Sequence, residues 1–185
     1  TEITTPEDAK IVAKICDKFG IHGLFVWFGS VRFRGMDIKD SVQILKDIPH
    51  LKIGIKNPPN ENSRTWRGRI DWALAGGANV KNLHLIGRGH DPVGSKNHLM
   101  LRNLPNYDET IFLGEMRGLK IILDPSHMGG TPARVLEVLK NAPNNEFDGW
   151  MIEACPTPTK TDENQRLDLQ NFRKALGIIA QSLKT

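Results

Sequence analysis

Five clusters of polar and ionisable residues each follow a short apolar run: Gly29-Ser30-Val31-Arg32, Lys56-Asn57-Pro58, Gly87-Arg88-Gly89-His90, Asp124-Pro125-Ser126-His127 and Glu153-Ala154-Cys155-Pro156. Two kinds of chemistry can be built from them. Lys56 and Arg88 stand at matched places after neighbouring apolar runs, as a cationic clamp for phosphate or carboxylate would require. Arg32 and Arg34 add a further cation from the preceding cluster. His127 can offer a neutral imidazole nitrogen to a metal, and Glu153 emerges from an apolar run where a solitary carboxylate is costly. With Asp162 in the polar loop that follows, they make a mixed nitrogen and oxygen set suited to Mn²⁺, Fe²⁺ or Zn²⁺. Taken singly, His127 also reads as an ordinary loop histidine, Asp162 as an exposed loop acid, and Lys56 and Arg88 as unrelated surface cations.

The elements that must position these groups follow from the apolar pattern. Gly23–Phe28, Leu51–Ile55, Asn82–Ile86, Leu119–Leu123 and Gly149–Glu153 read as buried parallel strands, starting about 30 residues apart, the length of a βα unit. Thr5-Pro6-Glu7 supplies an N-cap, a proline for the first turn and an acid suited to the helix dipole. It predicts a helix that runs to Gly20. Further helices are predicted near Ile38–Lys46, Ser63–Leu74, Asp108–Met116, Pro132–Leu139 and Leu167–Leu183. Pro125 and the two glycines after Met128 shape a loop around His127.

Strand alternating with helix implies an α/β fold with a parallel sheet. A doubly wound sheet prefers a Gly-rich phosphate loop after its first strand, and no G-x-G-x-x-G occurs. A (β/α)₈ TIM-type barrel puts chemistry at the C-terminal end of every strand, which is the pattern here. Five strands do not close such a barrel. The expectation is one domain over residues 1–185 forming an incomplete barrel of about five βα units, with strands four to eight of the full set.

Composition narrows the class further. The 185 residues are 39% apolar and 25% charged, as in globular proteins, and no apolar run approaches a membrane span. Twenty-five Lys and Arg against 21 Asp and Glu leave a mild +4. Arg64, Arg67 and Arg69 share a helical stretch and read as a solvated helix face rather than a nucleic-acid stripe. Two distant cysteines, Cys16 and Cys155, fit a reduced cytoplasmic protein rather than a disulfide scaffold. The chain opens Thr1-Glu2-Ile3 with no methionine and no charged-then-apolar leader.

The order of Gly29-Ser30-Val31-Arg32, Ile55-Lys56-Asn57-Pro58, Gly87-Arg88-Gly89, Asp124-Pro125-Ser126-His127 and Met151-Ile152-Glu153 resembles that of DAHP synthases. It looks most like the short microbial branch, including forms fused to chorismate mutase. Arg102-Asn103-Leu104-Pro105 is similar to that branch too, and the resemblance runs over essentially the whole chain. It implies a cytoplasmic TIM-barrel transferase of the shikimate pathway to aromatic amino acids, condensing phosphoenolpyruvate with erythrose 4-phosphate at a divalent metal (Mn, Fe, Zn or Co). By that resemblance Lys56 and Arg88 hold phosphoenolpyruvate, Arg32 stands near the family's Gly-Ala-Arg arginine, and His127, Glu153 and Asp162 bind the metal. The family's metal-ligating Cys and its Lys-Pro-Arg motif do not occur in these residues. The chain is therefore expected to be a fragment completed by N-terminal strands, or a homo-oligomer, with a chorismate mutase domain or partner as a further option. An isolated piece of this kind would expose two strand edges. The related octulosonate-phosphate synthase, using arabinose 5-phosphate, and a non-catalytic regulatory paralogue are the alternatives.

Overall fold

The structure is a computed structural model that describes residues 1–29, 34–60, 63–91, 99–156 and 165–184. Five parallel strands alternate with helices and follow one another in the sheet in chain order, as an α/β barrel segment requires. The strands are β1 (Phe25–Phe28), β2 (Lys52–Lys56), β3 (Leu83–Gly87), β4 (Lys120–Leu123) and β5 (Gly149–Trp150). The helices are α1 (Pro6–Phe19), α2 (Gly35–Leu45), α3 (Ser63–Ala75), α4 (Tyr107–Arg117), α5 (Pro125–Gly129), α6 (Pro132–Asn141) and α7 (Leu169–Ser182). Among the described residues, no helix is long and apolar enough to cross a membrane. Contacts gather the chain into two compact units, Thr1–Ile86 with Leu113–Lys120 and Gly87–Phe112 with Ile121–Thr185.

In the first unit the expected cap of α1 is realised as a full capping box. Thr5 Oγ1 accepts from Asp8 N at 3.2 Å, and Asp8 Oδ2 accepts from Thr5 N at 2.9 Å. The Thr4 hydroxyl, donating to the same oxygen at 2.6 Å, is the main reason the Asp8 carboxyl is held below its ordinary range. Gly20 closes the helix in the left-handed conformation at φ 59°. Val26, Phe28, Ile53, Ile55, Leu83 and Leu85 from the strands meet Ile38, Val42, Leu45, Trp66 and Ile70 from the helices as a buried core. Trp66 satisfies its one donor in that core by giving Nε1–H to Ile55 O at 3.1 Å.

Three expectations change in this unit. Lys56 is the last residue of β2 rather than the first after it. Arg69, read as part of a solvated face, is buried, because α3 turns it to the side of Trp66 and Ile70. The open edge of β1 is partly covered: Trp27 N donates to Thr1 O at 3.0 Å and Ile3 N to Trp27 O at 2.9 Å, so the first residues pair in parallel with β1.

In the second unit the fifth strand is shorter than the apolar run Gly149–Glu153 suggests. Its ladder ends one residue beyond Trp150, where Met151 N donates to Leu123 O at 2.8 Å. Ile121 N is fixed to Asp148 Oδ2 at 2.8 Å, and Trp150 Nε1 to Asn144 Oδ1 at 2.9 Å. In the same unit Val135, Val138, Leu139, Phe147, Leu167, Ala175 and Ile179 are buried. Side-chain hydrogen bonds thus replace ladder bonds where the strand gives out.

Candidate metal centre

The residues around His127 form a short helix rather than a loop. β4 ends at Leu123, and Asp124, wholly buried, turns its carboxylate back so that Oδ1 accepts from His127 N at 3.1 Å. That is an N-cap, and Pro125 at the first helical position loses no intrahelical bond. The five-residue α5 ends at Gly130, whose φ of 72° is left-handed. A Cβ on Gly130 would lie 2.7 Å from Arg102 Cβ, and one on Gly129 would lie 2.4 Å from Val135 N, inside α6. The two glycines therefore let α5 sit directly against α6 and the Arg102 segment.

Ser126 and Glu153 join the ends of β4 and β5. Glu153 N donates to the buried Ser126 Oγ at 2.9 Å, which draws the backbone off the ladder and is why β5 stops early. Among the described residues the Glu153 carboxylate then has three neighbours. Gln165 Nε2 donates to Oε1 at 2.6 Å, Arg166 Nε lies 3.8 Å from Oε2, and His127 Nδ1 lies 3.5 Å from Oε1. Nδ1 is also 2.9 Å from Asp124 Oδ2, yet it is buried without a bond of hydrogen-bonding geometry.

A buried imidazole nitrogen facing two carboxylates without a directed hydrogen bond is a candidate ligand for a cation. Two ligand atoms at roughly 2.0–2.2 Å from one ion stand roughly 2.8–3.6 Å apart in octahedral or tetrahedral coordination. The 3.5 Å between His127 Nδ1 and Glu153 Oε1 falls in that interval. The pair thus suits two positions in the shell of a divalent metal. Among the described residues no group of three or more His, Cys, Asp or Glu is gathered to hold an ion. Asp162, the third ligand named from sequence, lies outside the described residues, as does Arg32.

The remaining site residues fall at strand ends. Lys56 closes β2 and is buried. Arg88 follows Gly87, the last residue of β3, and its backbone carbonyl accepts from Asn103 Nδ2 at 2.9 Å. His90 pairs with Leu104 through two backbone bonds and brings Nε2 to 2.5 Å from Glu109 Oε2. Cys16 and Cys155 are both free thiols. Sequence reasoning overlooked Ser126 and Gln165. Ser126 sits within a quoted motif, but nothing in its type announces a bond to a backbone amide far along the chain. Gln165 leaves no periodic trace, and its one signal is a place just before the buried Leu167.

Parallel strands in chain order, with ionisable groups where the strands end, define an α/β protein of the TIM-barrel class. Two solved structures, each with 19% sequence identity to this chain, are similar to it over 98% of its length. One is a phospho-2-dehydro-3-deoxyheptonate aldolase (DAHP synthase) of Thermotoga maritima, with a TM-score of 0.78. The other is a truncated form of 3-deoxy-D-arabino-heptulosonate 7-phosphate synthase, also of Thermotoga maritima, with a TM-score of 0.74. The chain spans 49% of the first and 63% of the second. At this identity the likeness establishes a shared fold. No protein-family model matches the sequence, and no curated protein does.

Proposed function

We propose that this chain carries the metal-binding and anion-binding strand ends of a DAHP synthase, within the C-terminal part of a TIM-barrel catalytic domain. The observation that carries the reading is the His127 and Glu153 pair, 3.5 Å apart where β4 and β5 end. The fold likeness to two DAHP synthase structures supports it.

In this reading His127 and Glu153 would hold a divalent metal, with Asp162 as a further ligand, and such an ion would supply Lewis acidity toward the aldehyde oxygen. Asp124 holds the His127 backbone through the cap of α5, and Ser126 holds the Glu153 backbone, so both ligands reach the site already placed. Lys56 and Arg88 are assigned to phosphoenolpyruvate, whose carboxylate and phosphate they can pair without a proton of their own being spent. C3 of phosphoenolpyruvate bonds to C1 of erythrose 4-phosphate, water adds at C2, and inorganic phosphate leaves. Two anionic substrates must be brought together, so fixed cations lower the barrier by offsetting their repulsion.

Release of inorganic phosphate in the presence of Mn²⁺, phosphoenolpyruvate and erythrose 4-phosphate is the direct test. Turnover that needs both aldehyde and metal, and that disappears in His127→Ala, supports the reading. Turnover with arabinose 5-phosphate alone would move the chain to octulosonate-phosphate synthesis. Phosphoenolpyruvate binding without phosphate release and without any binding of Mn²⁺ would make it a regulatory binder. Absence of binding to both Mn²⁺ and phosphoenolpyruvate would end the proposal.

A further inference from the structure

We infer that Gln165 is a positioning residue for Glu153, and that Arg102 sets which way the Gln165 amide faces. The inference rests on the reading of Glu153 as a metal ligand. Gln165 is almost wholly buried, so its side chain must satisfy its polar atoms inside the protein. Its Nε2 donates to Glu153 Oε1 at 2.6 Å, and its Oε1 accepts from Arg102 Nη1. An amide can be turned either way round, but a guanidinium has donors only. Arg102 therefore requires the amide oxygen on its own side, which leaves the NH₂ facing Glu153. A neutral amide steadies the carboxylate without bringing a full charge that would compete with a metal. Arg166, the charged neighbour, stands farther off at 3.8 Å.

Arg102 is well anchored for this task. The next residue, Asn103, donates its N–H to Met128 O at 3.1 Å and its amide to Arg88 O at 2.9 Å. Leu104 exchanges two backbone bonds with His90. Gly130 leaves room for Arg102 Cβ. The chain of contacts thus runs from a backbone segment tied to α5, through Arg102 and Gln165, to the oxygen of Glu153 that faces His127. Such partners typically change metal affinity without contacting the metal.

The test is Mn²⁺ affinity of the full chain by titration calorimetry, beside its melting temperature. Gln165→Met keeps the length and removes the amide, and should weaken Mn²⁺ by about 10- to 100-fold while melting within a few degrees of the parent. Arg102→Met should weaken it less, since Arg102 is exposed and acts through Gln165, and the double variant should be no weaker than Gln165→Met. If Gln165→Met does not fold, Arg102→Met alone carries the test, with at least about a threefold loss expected. Affinity unchanged in Gln165→Met, or in Arg102→Met where that variant stands in, overturns the inference while His127→Ala still loses the metal. A parent chain that binds no Mn²⁺ overturns the metal reading and this inference together, and that outcome needs no substitution to recognise.

Discussion

Four successive residues of β1 pair in register with β2, from Phe25 with Lys52 to Phe28 with Ile55, and β2 pairs four with β3. Between β4 and β5 only two pairs form, Ile122 with Gly149 and Leu123 with Trp150. The first set is held by a regular ladder over an apolar core that includes Trp66. The second is held by single side chains that reach backbone groups: Asp148, Ser126, Asp124 and Asn144 each stand in for a missing ladder or helix bond. Regular pairing fixes a scaffold but leaves side chains pointing where the pleat sends them. Where pairing stops, a few polar residues can aim the backbone, and that is where His127 and Glu153 meet.

Substitutions can break the contrast, and the largest effect falls in the regular region. Trp66→Ala empties a fully buried site and leaves Ile55 O without its indole donor, so it should cost about 3–5 kcal/mol in urea unfolding. A loss below about 1 kcal/mol would show that burial does not hold the first unit together. Next come the cations. Lys56→Ala and Arg88→Ala should each weaken phosphoenolpyruvate binding by about 1.5–3 kcal/mol, roughly ten- to hundredfold. Values within about twofold of the parent for both would remove them from the anion site.

Ser126→Ala is a smaller change with a sharper reading. Losing the hydroxyl that holds Glu153 N should cost about 1 kcal/mol of stability and also lower Mn²⁺ affinity. A stability loss with metal affinity intact would separate the scaffold of β5 from the site. Of a different kind is the titration of Tyr107, the chain's single tyrosine, whose phenol burial pushes up to about 12. Its raised folded value means the neutral phenol is favoured by folding. That contribution is complete below its ordinary value of about 10 and is lost as pH rises toward 12. Phenolate absorbance should therefore rise near pH 12 in the native chain and about two units earlier in urea.

The same contrast decided what the sequence could reveal. β1 to β4 were legible because each is a short apolar run between polar breaks, and α1 because Thr5, Pro6 and Gly20 mark its ends. The run Met151-Ile152 carried the fifth strand too far, since hydrophobicity cannot register that Glu153 N is committed to Ser126. Arg69 was misplaced because three arginines in one stretch look alike until the helix turns one of them inward. His127 and Glu153 could be singled out as candidates from the strand ends they follow. Gln165 could not, because its two partners, Arg102 and Glu153, come from separate stretches of the chain and leave no spacing rule behind.

Gly129 and Gly130 give the chain a pair of positions that look interchangeable in print and are not. In a saturation library scored by survival of the folded chain, both columns should empty of every residue but glycine, for separate reasons. At Gly129 the obstacle is the main chain of the next helix, 2.4 Å from any first carbon, and no rearrangement of side chains relieves it. At Gly130 the obstacle is the left-handed backbone together with one carbon of a side chain. Trimming Arg102 to glycine should therefore readmit asparagine at position 130, the residue that best tolerates such a backbone, and nothing at position 129. Two adjacent glycines would then be told apart by which second-site change forgives them.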